Sequence, residues 1–120
     1  KSDDFTNYYR NINENIRRIM KLTSKQRAFL KKKAHELNPI VRIGKDGLQE
    51  TVIESILSAI DSRELIKVKI LQNCETEKEE IYQQLLEETR FDVVGMIGRT
   101  IIVFKENKEK PVVSTELKSL

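Results

Sequence analysis

At 120 residues the chain has the length of one domain, with a core large enough to fold alone. Its single cysteine, Cys74, excludes an internal disulfide; no apolar run is long enough to span a bilayer, and no segment has the basic–apolar–small pattern of a signal peptide. Cytoplasmic residence is therefore the default expectation. The net charge is only +3, yet it is unevenly spread. From Lys21 to Lys45 there are eight basic residues against one acidic residue, whereas from Glu75 to Arg90 there are six acidic residues against two basic ones. Such polarity fits one face that attracts a polyanion, or simply a solvated helix face.

In chain order, residues 1–19 form an N-terminal extension. Phe5, Tyr9, Ile12, Ile16 and Ile19 recur at helical spacing, with Asp3 and Asp4 placed to suit a helix N-terminus. A helix with no role in the main activity is expected there. A second helix is predicted to begin near Thr23, because Thr23 and Gln26 have capping-box spacing. Phe29 or Leu30, Ala34 and Leu37 supply its apolar stripe, and Asn38-Pro39 ends it. Ile40–Ile43 reads as a short strand. After Gly44-Lys45-Asp46-Gly47, the apolar series Leu48, Val52, Ile53, Ile56, Leu57 and Ile60 predicts a helix to about Ser62.

Leu65–Leu71 alternates as a strand, with Ile66, Val68 and Ile70 on one face and Lys67 and Lys69 on the other. An acidic helix is expected from about Thr76 to Thr89. Asp92–Ile97 and Thr100–Phe104 read as strands joined by Gly98-Arg99, a two-residue turn with glycine first, as type II′ hairpins prefer. Residues 106–120 are polar, contain Pro111, and read as a loose C-terminal tail. The order α-α-β-α-β-α-β-β predicts a compact α/β sandwich with a mixed four-stranded sheet: strand–helix–strand units pair parallel, and the final hairpin is antiparallel.

All four glycines fall into two Gly-x-x-Gly pairs. In the second, Gly95 to Gly98, the middle residues Met96 and Ile97 are apolar and Gly98 serves the hairpin; a structural role suffices. Arg99, at that turn, remains a ligand candidate. The first pair joins a strand to a helix N-terminus and carries Lys45 and Asp46 at its tip. It is either a tight turn alone or a turn that also brings backbone N–H groups to a phosphate. It is neither a Walker loop nor a dinucleotide GxGxxG fingerprint, which argues against nucleotide-cofactor chemistry. Lys67, Lys69 and Arg42 form either a solvated sheet face or a basic platform continuous with the helix lysines and this loop. His35, the only histidine, reads as a cap or packing residue; Cys74 has no catalytic partner, and the carboxylates concentrate on a solvated helix. Neither an enzyme nor a bound metal or cofactor is expected.

Four ordered segments together are more specific than any motif alone. Leu22–Arg27, Ala34–Leu48 with its Gly44-Lys45-Asp46-Gly47 loop, Glu64–Lys69 and Ile97–Phe104 resemble the CRM domain, the chloroplast RNA splicing and ribosome maturation domain, whose stand-alone bacterial form is the YhbY family. The resemblance covers residues 20–105. It implies an RNA-binding module with a fold similar to the C-terminal domain of bacterial translation initiation factor three, whose bacterial members associate with precursors of the large ribosomal subunit. The family's glycine loop, likened to the KH loop that clamps nucleotide backbone, matches Gly44, Lys45, Asp46 and Gly47. The family's basic first helix matches Lys25, Arg27, Lys31 and Lys32. Phe104 departs from the pattern, standing where members often carry tyrosine, and residues 1–19 have no counterpart, which makes Met20 the expected natural start.

The leading expectation is a non-enzymatic protein that binds RNA of pre-ribosomal particles through the loop and the basic face, with Lys67, Lys69, Arg42 and Arg99 extending the path. With few aromatics for base stacking, sequence specificity is expected to be modest. The alternative is a protein-interaction module whose basic face meets an acidic protein surface. No membrane or small-molecule partner is expected.

Overall fold

The structure, a computed structural model, describes residues 22–120, so the expected helix over residues 1–19 lies outside the described residues. Helix α1 (Ser24–Ala34) starts at the predicted capping box: Gln26 N donates to Thr23 Oγ1 and Thr23 N donates to Gln26 Oε1, each at 3.0 Å. It ends earlier than expected. His35 is its C-cap, and Leu37, assigned to the apolar stripe, lies past the helix and is exposed. Leu30 and Ala34 are fully buried and Phe29 partly so.

Strand β1 (Val41–Ile43) leads through the glycine loop into α2 (Glu50–Arg63), then β2 (Leu65–Ile70), α3 (Lys78–Leu86), β3 (Asp92–Ile97), β4 (Thr100–Phe104) and a short α4 (Ser114–Lys118). The strand order is β1-β2-β4-β3. β1 pairs parallel with β2, while β4 lies antiparallel between β2 and β3. The sheet is thus the expected mixed four-stranded one. The second strand–helix–strand unit, β2-α3-β3, keeps its strands parallel in direction but leaves a gap that β4 fills.

Both faces are covered, by different helices. Ile53, Ile56 and Ile60 of α2 and Ile81 and Leu85 of α3 pack on Val41, Ile43, Ile66, Val68, Ile70, Ile101 and Val103. The spacing of the α2 isoleucines puts all three on one stripe. On the opposite face, Leu30 and Ala34 of α1 and Leu117 of α4 cover Leu65, Val94, Ile102 and Phe104. Each isoleucine or leucine so enclosed stabilises the fold by about 2 kcal/mol relative to leaving it in water. Coverage of this second face is incomplete: Arg42 and Lys69 are exposed on it, and Lys67 is half-buried.

Residues 106–120 are not a loose tail. Glu64, the residue between α2 and β2, is fully buried with φ +64°, inside the left-handed region that favours glycine. Its carboxylate accepts hydrogen bonds from the amides of Asn107, Val112 and Val113 (each 2.6 Å) and of Ser114 (3.0 Å), and from the Ser114 hydroxyl (2.7 Å). Its carbonyl accepts from Lys105 N at 2.8 Å. Burial alone would push this carboxyl up; the amides and hydroxyl outweigh it and hold the pKa at about 2. Leu117 then seats α4 on α1, where Glu116 pairs with Lys33 at 3.2 Å, and Lys118 pairs with Glu106. Polarity made this segment read as solvated. Its anchoring comes from one buried acid forty and more residues away in sequence, which no local pattern reveals.

Candidate nucleic-acid interface

The Gly44–Gly47 loop is a tight turn closed by Gly47 N donating to Gly44 O at 3.1 Å. Its two glycines have different reasons to be there. Gly47 is buried with φ +73°, and a Cβ on it would lie 2.7 Å from Thr76 Oγ1. Both the backbone and the packing require glycine. Gly44 has neither a positive φ nor any atom within 4 Å of where its Cβ would be. Nothing in the fold excludes a side chain at 44. Gly47→Ala is accordingly expected to cost at least about 1–2 kcal/mol and lower Tm by several degrees in a thermal melt. A melt indistinguishable from wild type would refute this reading of the turn.

Lys45 and Asp46, at the tip, are exposed, and their amides donate to no group among the described residues. The Lys45 carbonyl accepts from Glu75 N at 3.2 Å, which ties the loop to the β2–α3 connection. The α2 N-terminus follows directly, and its N-cap residue Gln49 makes no side-chain cap. The loop therefore presents backbone donors and one lysine to solvent on a fixed frame.

Beside it lies the open part of the sheet. Arg42 and Lys69 are directly opposite in the β1–β2 register, on strands about 5 Å apart, and point to the same face. Like charges so placed repel and weaken the pairing. Lys67, one alternation along β2, shares that face and pairs with Ile102, which pairs in turn with Gly95. Gly95 interrupts β3 at a register shift, as expected of a strand glycine. It does more than that. A Cβ there would lie 2.9 Å from Lys31 Cε and 3.4 Å from its Nζ. The bare glycine lets the Lys31 stem lie on the sheet, so helix and sheet cations share one surface. A structural role for the second glycine pair thus includes seating a lysine, which depends on a helix crossing that sequence does not display.

Lys25 and Lys32 are exposed on α1. Arg27 is half-buried, and its Nη1 donates to Leu22 O at 3.3 Å, which orients it toward the domain. Arg99 is half-buried too: Nε donates to Ile70 O at 3.0 Å and Nη2 to Leu71 O at 2.8 Å, bracing the hairpin against the end of β2. Its neighbour Gly98 has φ +62° and Arg99 has no positive φ, as a glycine-first II′ turn requires. Arg99 thus stands apart from the Arg42–Lys67–Lys69 face, at the strand ends. Lys78, the first residue of the acidic helix α3, joins it there, with Nζ 3.5 Å from Gly98 O.

Ion pairing separates the cations sharply. Lys33, Arg90 and Lys118 have carboxylate partners. Among the described residues, Lys25, Lys31, Lys32, Arg42, Lys45, Lys67 and Lys69 have none. His35 caps α1, Cys74 donates its thiol to Thr76 O at 3.4 Å, and no group of three or more potential metal ligands occurs among the described residues. No described helix is long and apolar enough to cross a membrane.

Comparisons with known proteins place the chain among relatives named for RNA binding. The chain is similar to the Bacillus subtilis protein YqeI, named a probable RNA-binding protein, with 47% identity over 88 residues, 73% of this chain and 92% of that one. It is 36% identical over 91 residues to an RNA-binding protein of Haemophilus influenzae, covering 76% of this chain and 92% of the relative. The solution structure of Staphylococcus aureus SAV1595, described as a candidate RNA-binding protein, superposes with a TM-score of 0.59 at 42% identity, over 76% of this chain and 98% of that one. These relatives are named for binding, not for catalysis. The CRS1/YhbY (CRM) domain model matches residues 22–105, from the start of α1 through the end of β4, and the chain belongs to that family.

Proposed function

We propose that this chain is an RNA-binding protein, and that its target is ribosomal RNA in precursors of the large subunit, where it assists assembly. The observation that carries the reading is the cluster of cations that have no acidic partner among the described residues. Lys31, Lys67, Lys69 and Arg42 share one sheet face, with Lys25 and Lys32 on the helix crossing it and Lys45 at the loop. Repelling charges held together on a rigid sheet cost stability, and a polyanion relieves that cost. The names of the relatives support RNA as the polyanion. The ribosomal target rests on the family resemblance alone.

In this reading Gly44 is bare so that backbone can approach a phosphate, and Lys45 supplies charge beside it. Arg42, Lys67, Lys69 and Lys31 continue the strand's path over the sheet. Asp46 keeps the tip polar, and Gly47 holds the turn. Filter binding with a large-subunit RNA fragment tests the loop's part. Gly44→Ala is expected to bind several-fold more weakly while its stability stays within about 0.5 kcal/mol of wild type. Unchanged affinity would remove the loop from the interface.

A further inference from the structure

Three connections converge at the carboxyl ends of β1 and β2. Leu71 N donates to Ile43 O at 2.9 Å and Glu75 N to Lys45 O at 3.2 Å, joining the β2–α3 connection to the glycine loop. Arg99 braces the β3–β4 turn against the same connection, and Lys78 reaches across to Gly98. Between the β2–α3 connection and the β3–β4 turn lies a pocket walled by Gln72, Thr76, Glu77, Lys78, Glu79 and Arg99. The strand carboxyl ends are where open α/β sheets bind ligands. Thr76 is shared: the residue lines the pocket, and its hydroxyl packs against Gly47. The pocket is therefore immediately behind the loop.

Its chemistry differs from that of the basic face. The two cations, Lys78 and Arg99, are matched by two carboxylates, Glu77 and Glu79, so the walls carry no net charge. A phosphate would meet both carboxylates. A nucleobase edge offers donors and acceptors together, and here it meets both kinds: the Arg99 and Lys78 donors, the Glu77 and Glu79 acceptors, and the Gln72 amide, which is both. Sequence-specific readers of RNA take unstacked bases by such edges, whereas a paired and stacked base is out of reach.

We propose that this pocket takes one unpaired nucleobase from the RNA strand whose backbone passes the Gly44–Gly47 loop. The inference rests on the RNA-binding reading and adds a base-reading site to it. Affinity comes from the basic face; base preference comes from the pocket.

The test uses the full chain with oligo-A, oligo-C and oligo-U of equal length, measured by fluorescence anisotropy across a salt series. Wild type is expected to prefer one base by about tenfold. Gln72→Ala and Glu79→Ala, both at exposed positions, are expected to flatten that preference while leaving the salt dependence unchanged. Equal affinity of wild type for all three oligonucleotides overturns the pocket and leaves RNA binding standing. So does a loss in the variants that is the same for every base, since it marks a backbone contact. Absence of binding to any of them, or to a large-subunit fragment, overturns the RNA-binding reading itself.

Discussion

Replacing Glu64 by glutamine is expected to release residues 106–120 from the domain and to cost about 2–3 kcal/mol at pH 7. The carboxylate accepts five hydrogen bonds from the segment, and glutamine puts an NH2 group where one of the acceptor oxygens stood. Amide exchange at Val112, Val113 and Ser114 should accelerate well beyond the change at β2 and β4. The pH dependence has a definite sign. The carboxyl sits at about 2 in the folded chain against an ordinary 4.5, so the folded state favours the ionised form. Its contribution is complete above pH 4.5 and is lost as pH falls toward about 2. The shift corresponds to roughly 3 kcal/mol. Chemical denaturation of wild type and Glu64→Gln should therefore converge over that window. A stability gap that stays constant from pH 7 to pH 2 would show that the staple is not electrostatic.

Removing three charges of the proposed RNA-binding face together, Lys31→Ala, Lys32→Ala and Lys45→Ala, is expected to weaken binding to a large-subunit RNA fragment by one to two orders of magnitude at low salt, on the order of 1 kcal/mol per contact. The more telling readout is the slope of log affinity against log salt. Three lost contacts to single-stranded RNA should reduce it by about 2. Stability should hold or rise, because Lys32 and Lys45 are exposed and none of the three has an acidic partner among the described residues. Unchanged RNA affinity in a folded triple variant would favour the alternative of a protein-interaction module whose basic face meets an acidic protein surface.

Much of this was legible in the sequence, for reasons that differ by element. The alternation of Ile66, Val68 and Ile70 with Lys67 and Lys69 is strict, and the faces fall as it dictates. Thr23 and Gln26 capped their helix because the capping box is a local device needing no tertiary partner. The hairpin followed from Gly98 for the same reason. Helix ends were less legible: α1 stops short of Leu37, and α3 is shorter at both ends than the acidic run suggested. What sequence could not reveal depends on long-range contacts. The Glu64 staple, the Lys31 stem on Gly95 and the shared wall of Thr76 each join residues at least 29 positions apart. Charge composition picked out the cations as a group, but only the fold separates Lys33, engaged by Glu116, from Lys31 and Lys32 beside it.

The order β1-β2-β4-β3 also bears on how the chain matures. β4 is the last of the sheet's four strands to be synthesised, yet it is a central one, bonded to β2 on one side and β3 on the other. Until Phe104 leaves the ribosome, β2 has only the three residues of β1 to pair with, and its apolar edge stays open. Sheet closure is thus a late, non-local event that must wait for nearly the whole domain. The face that gathers Lys67 from β2 and Lys31 over β3 comes into being at that moment. A nascent chain halted before β4 would hold the lysines without the surface, so the proposed RNA-binding face is tied to completion of the sheet.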